Sequence, residues 1–195
     1  NPKTNKVYVM LTNNARRKAD QVDAVNPRAD NRFGHIVEMS PEGGDHASMK
    51  FKWEVLVKCG DPSIAAVGAS FNPATTKDGW FGMPDNCAVD HMGRLWIATD
   101  GNSTGKTGRS DGVWAMETEG KLRGTGKLFF RCPSGAELCG PCFTPDDETL
   151  MFGYVKRAPL AMADRLAGIA GVAAVEPRVV VDVTLDLPGV DEPAT

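Results

Sequence analysis

The sequence predicts an all-β chain, part of a β-propeller with about three blades over residues 1–154, followed by a short α/β tail over 155–195. Three observations carry that reading: short alternating apolar runs between turn clusters, a turn-and-strand unit that recurs, and a break in pattern after Tyr154. The runs at 7–11, 36–39, 51–57, 95–98, 113–116, 128–130 and 150–152 have the two-residue alternation of strands, and helical spacing is missing among them. Between them stand Asn1-Pro2-Lys3-Thr4, Ser40-Pro41-Glu42-Gly43-Gly44, Asp90-His91-Met92-Gly93 and Thr144-Pro145-Asp146-Asp147. In such clusters Pro sets φ while Asp, Asn or Gly supports a reversal. The segments beginning at Asn1, Val89 and Phe143 each place a turn before a strand that opens on an aliphatic residue. Tyr8 and Trp96 are 88 residues apart, twice 44, and Trp53 falls near the midpoint, which fits the roughly 40–45 residues of a four-stranded blade. Each sheet is therefore expected to have four strands, with Trp53, Trp96 and Trp114 buried between sheets. Beyond Tyr154, an Ala- and Leu-rich stretch at 160–169 reads as a short helix, 179–187 as a β-branched strand, and 189–195 as a frayed acidic end.

Composition removes several functional classes. A net charge of -3 over 195 residues lacks the basic excess of a nucleic-acid binder. No stretch approaches the roughly 20 apolar residues of a membrane span. The first residues have neither an initiator Met nor an apolar signal core, so the reading expects sequence upstream. Five cysteines are an odd number, and at least one must stay outside any intrachain disulfide. Cys139 and Cys142 have CxxC spacing but no second ligand pair and no helix starting at the motif, so both read as small buried residues.

Five segments together resemble the C-terminal half of PhoX-type alkaline phosphatases. They run from Asn1 to Arg17, from Asn26-Pro27-Arg28 to His35-Ile36, through Met83-Pro84-Asp85-Asn86, from Gly93-Arg94-Leu95-Trp96 to Asp100-Gly101, and from Ser134-Gly135-Ala136-Glu137 to Pro145-Asp146. The resemblance implies a six-bladed ring, a phosphomonoesterase dependent on calcium and iron, a small phosphoester substrate, and export to the periplasm or beyond through a twin-arginine signal. It also implies that the iron-ligating cysteine, a further acidic ligand and an Arg-Pro-Glu-Trp type segment lie upstream. None of the five cysteines here sits in the iron-cysteine motif. The chain is accordingly expected to be inactive in isolation, and the open blade edges of a part-ring to invite self-association. After Phe152 the sequence departs from the family. Segment 166–179 is similar instead to the start of the extracytoplasmic domain of FtsX- or MacB-like transporter permeases, so 155–195 reads as either a divergent or a chimeric tail.

Calcium takes oxygen ligands, which makes Asn13, Asn14, Asp85, Asn86, Asp100 and Glu137 the metal candidates. Asn13-Asn14 and Asp85-Asn86 read equally as turn formers. Arg16 and Arg17 are the substrate-binding candidates, since a guanidinium matches phosphate oxygens bidentately. With Lys18 they also read as a solvated loop. His35 alternates into a strand and reads first as a hydrogen-bonded core histidine. Gly101 and Gly105 are too close for a phosphate loop of the G-x4-G-K-[ST] kind. Residues 84–90 and 93–100 also look like calcium-dependent gluconolactonase propellers, the second enzyme reading. A non-catalytic propeller module is the third.

Overall fold

The computed structural model describes residues 1–155 together with Ala167 and Gly168. Over 1–155 it has nine strands and only four short 3-10 turns, because the alternating runs offer one face to each side and no helical stripe. The strands are β1 (Val7–Leu11), β2 (His35–Pro41), β3 (Phe51–Lys58), β4 (Pro84–Val89), β5 (Leu95–Thr99), β6 (Gly112–Met116), β7 (Gly126–Arg131), β8 (Glu137–Phe143) and β9 (Leu150–Val155). They form three antiparallel sheets, ordered β1-β2-β3, β4-β5-β6-β7 and β8-β9. Four strands per sheet was the expectation, and only the middle sheet meets it. Seven strands coincide with the alternating runs. β4 and β8 do not, because each carries proline and a register shift, between Pro84 and Cys87 in one and between Cys139 and Cys142 in the other.

The middle sheet is buried on both faces. Adjacent residues of one strand point to opposite sides, so Ile97 and Trp114 join the core with Ile36, Val57, Phe81 and Leu95, while Ala98 and Val113 pack with Cys132, Ala136 and Leu138. The first core thus lies between the β1-β2-β3 sheet and the middle sheet, and the second between the middle sheet and β8-β9. Phe81 sits 5.7 Å from Trp114 in one, and Phe130 5.0 Å from Phe152 in the other. Trp114 is fully buried, Trp96 half-buried, and Trp53, against expectation, 41% exposed on the outer face of the first sheet. Trp80 is buried instead, with the Arg109 guanidinium 3.5 Å above its ring. Glu38 is buried on β2 and ties two regions together: its Oε1 takes Lys6 Nζ at 2.7 Å and Arg123 Nη2 at 3.2 Å. Gly34 must be glycine, since it has φ +73° and an added Cβ would stand 2.2 Å from the Thr12 carbonyl oxygen.

Cys59, Cys87, Cys139 and Cys142 are free thiols, and Cys132 Sγ bonds the Asp111 and Ala136 carbonyls. The buried ones are Cys59 and Cys132; Cys142 is exposed and Cys139 only partly covered, which corrects the expectation that both CxxC residues are buried. Gly140, at φ 62°, turns the strand between them and rolls Cys142 outward. The expected helix at 160–169, apart from Ala167 and Gly168, and the expected strand at 179–187 lie outside the described residues.

Candidate active site

Asp85 and Asn86 stand at the start of β4, and Asp100 directly follows β5, which is antiparallel to it with Pro84 opposite Thr99. Glu137 opens β8, which contacts β4. Three carboxylates are therefore delivered by neighbouring strand ends. Their mutual influence is direct: the Asp100 carboxyl is held above the usual range by partial burial, then by the charges of Glu137, Asp111 and Asp85, with Lys106 opposing. The Cys139 thiol is raised by partial burial and by Glu137, Asp100 and Asp85 in turn. Asn86 links the two strands, its Oδ1 accepting the Gly140 N–H at 3.3 Å. Glu137 is exposed, so solvent rather than a buried partner meets its charge.

A buried polar knot holds this end together. Asp111 is 3% exposed and accepts four hydrogen bonds, from Thr99 Oγ1 (2.9 Å), Gly101 N (3.0 Å), Asn102 N (2.9 Å) and Asn102 Nδ2 (2.9 Å). Asn102 Nδ2 also reaches the Gly82 carbonyl at 2.8 Å, and the Asp100 N–H bonds the Met83 carbonyl at 3.1 Å. Asp85 and Asp100 are thereby placed by the same loops. Met83 takes φ 55°, a left-handed conformation that costs an unbranched side chain about 1–3 kcal/mol. Its N–H bonds the Phe33 carbonyl at 2.7 Å. Sequence reasoning missed Asp111. Its signal was a carboxylate set directly before the apolar run at 113–116, where burial demands donors.

The asparagine pair separates. Asn13 lines a hollow with Phe33, Met83 and Lys106. Asn14 bridges to Asn31, and its Oδ1 accepts the Arg16 N–H at 3.2 Å, the turn-forming role. Arg16 and Arg17 line a second, polar hollow with Asn14 and Gln21, and Arg17 Nη1 donates to the Gln21 carbonyl at 2.6 Å. His35 is a satisfied core histidine. Its Nε2 faces the Val25 carbonyl at 2.8 Å and therefore carries the proton, leaving Nδ1 to accept from Asn31 Nδ2 at 3.0 Å. Burial lowers its pKa.

Among the described residues no three His, Cys, Asp or Glu side chains are gathered closely enough to hold a metal ion. In kind, however, the donors suit calcium: carboxylate and amide oxygens, with the repulsion at Asp100 partly offset by Lys106. Neither Cys59 nor Cys139 suits iron. Burial pushes the Cys59 thiol up, and the nearby carboxylates disfavour a thiolate at Cys139.

A family model for alkaline phosphatase PhoX matches residues 1–156. Among solved structures, Pseudomonas fluorescens PhoX in complex with vanadate, a transition state analogue, aligns with a TM-score of 0.70 at 36% identity, over 78% of this chain and 27% of that one. The chain thus spans about a quarter of the length of that relative. No curated protein matches.

Proposed function

Because this chain belongs to the PhoX family of alkaline phosphatases, we propose that the protein to which it contributes hydrolyses phosphomonoesters at the end of the sheets where Asp85, Asp100 and Glu137 meet. The observation that carries the reading is the placement of those three carboxylates at neighbouring strand ends, with β4 paired to β5 and β8 packed against both. With Asn86 they offer carboxylate and amide oxygens of the kind calcium takes, to be completed by ligands from the rest of the protein, while Asn13 lines the neighbouring hollow and Asn14 Oδ1 accepts the Arg16 N–H. Calcium, when bound, stabilises the charge that develops on a phosphoryl oxygen. Asp111 holds the loop that carries Asp100, and partial burial limits the screening of the Asp100 charge. Arg16 and Arg17 bind phosphate oxygens from their hollow beside Asn14. Iron belongs to ligands outside these residues. Export to the periplasm or the medium is part of the same proposal.

The propeller reading is also ours. In the recurring unit β1, β5 and β9 are equivalent; β5 and β9 each lie second in their sheets, next to β4 and β8. On that register β1-β2-β3 supplies strands two to four of one blade, β4 to β7 a whole blade, and β8-β9 the start of a third, within a six-bladed ring. The family model ends at residue 156, which supports a boundary near 154 and a divergent or chimeric tail beyond it. Edge strands such as β1 and β3 give a part-ring its route to self-association. The lactonase likeness is confined to two segments, whereas the family model spans 1–156.

Hydrolysis of p-nitrophenyl phosphate with calcium and iron added tests the proposal. The full-length protein should turn over, lose activity on chelation, and lose it in Asp85→Ala and Glu137→Ala; the 195-residue chain should show little or none. A full-length protein that cleaves lactones but not the phosphoester favours the lactonase reading, and one that cleaves neither favours a binding module.

A further inference from the structure

Beside the carboxylates lies a cavity of about 380 Å³, within the size range of small-molecule sites, whose walls include Asn13, Arg32, Phe33, Met83 and Lys106. It shares its backbone with the carboxylate end. Met83 immediately precedes Pro84-Asp85, its carbonyl receives the Asp100 N–H at 3.1 Å, and Lys106 Nζ donates to the Gly101 carbonyl at 3.1 Å. Phe33 and Met83 give it apolar surface of the kind that accepts a flat ring. Two cations stand in the same wall with donors to spare. Arg32 makes one ion pair, from Nε to Asp30 Oδ2 at 2.9 Å, between two well-exposed side chains, a pairing of little energetic weight. Its Nη groups are unengaged among the described residues. Lys106 uses one of its three donors on Gly101. Arg16 and Arg17 line a different hollow, which leaves the cations of this cavity available to a second negative charge.

We propose that this cavity is the leaving-group pocket, and that the enzyme prefers phosphomonoesters whose leaving group is flat and carries a further anionic substituent. The proposal rests on the phosphatase reading and names its substrate class. Phe33 and Met83 take the body of the leaving group, and Arg32 with Lys106 bind its anionic end by charge-assisted hydrogen bonds.

The test is calorimetric titration of the 195-residue chain, with calcium present, by three probes: phenyl phosphate, 4-carboxyphenyl phosphate and 4-hydroxybenzoate. The carboxylated ester should bind about tenfold more tightly than phenyl phosphate. In Arg32→Gln that preference should fall to about threefold or less while phenyl phosphate is unchanged. Arg32 is exposed, and circular dichroism of the variant checks that it folds. Equal binding of the two esters in the parent chain overturns the pocket and leaves the phosphatase reading standing. Parallel weakening of both esters in the variant also overturns it, since Arg32 then holds the phosphate. Binding of 4-hydroxybenzoate that the variant abolishes, with neither ester bound, sustains the pocket and overturns the phosphatase reading. Absence of binding by all three probes overturns the pocket.

Discussion

Replacing Asp111 by Ala strips the acceptor from four donors at once, and two of them belong to Asn102, which is 7% exposed. A buried donor left without a partner costs about 1–3 kcal/mol. Asn102 Nδ2 keeps the Gly82 carbonyl at 2.8 Å, and the Thr99 hydroxyl can turn, so the loss concentrates on the Gly101 and Asn102 amides. The expected destabilisation is about 3–4 kcal/mol, a large share of the roughly 5–15 kcal/mol that a domain possesses. Asp111→Asn keeps the shape but turns an amide N–H toward donors, and is expected to cost about 2 kcal/mol. Urea unfolding followed by tryptophan fluorescence reads both as a lowered midpoint with an unchanged slope. Because the same carboxylate places Asp100, Asp111→Asn should also shift the Asp100 titration by NMR. A loss under 1 kcal/mol in Asp111→Ala, or an Asp100 titration indifferent to Asp111→Asn, would refute the reasoning.

Other outcomes are equally specific. Trp114→Ala removes a fully buried ring from the core between two sheets and should cost about 3–5 kcal/mol by denaturant unfolding, whereas Trp53→Ala on the exposed face should cost far less. His35 is neutral in the fold, with its pKa below the unfolded value of 6.5. The unfolded chain therefore binds the extra proton, and the His35 contribution, complete above that value, should be lost as pH falls through the folded pKa; His35→Gln should flatten that part of the stability profile. In the native chain Cys87 and Cys142 should react with a thiol reagent and Cys59 should not, read by mass spectrometry of labelled peptides.

The regular part of the fold was legible in the sequence because its strands obey alternation: Val7-Tyr8-Val9, Leu95-Trp96-Ile97 and Val113-Trp114 announce their sheets through apolar spacing alone. β4 and β8 were not legible. Pro84, Gly140 and Pro141 break the pattern; the bulge in β4 puts Asp85 and Asn86 on irregular backbone, and that in β8 follows two residues after Glu137. Two of the three carboxylates, Asp85 and Glu137, thus sit on strands that periodicity cannot find and were reached through family motifs instead, whereas Asp100 follows β5. Trp53 misled because a strand's apolar residue was taken to imply a covering layer, and the outer face of β3 has none over its ring. Asp111 was overlooked because Ser110-Asp111-Gly112 reads locally as a turn, and only tertiary structure reveals four donors converging on its carboxylate.

The claim on which the account rests is that Asp85, Asp100 and Glu137 share one electrostatic environment. Carboxyl carbon NMR titration of Asp100 in the parent chain and in Glu137→Gln tests it most directly. Partial burial and its acidic neighbours hold the Asp100 pKa above 3.8, so removing the Glu137 charge should lower it, and Asp85→Asn should lower it further. An Asp100 that titrates identically in all three proteins would contradict the convergence of the carboxylates and, with it, the site.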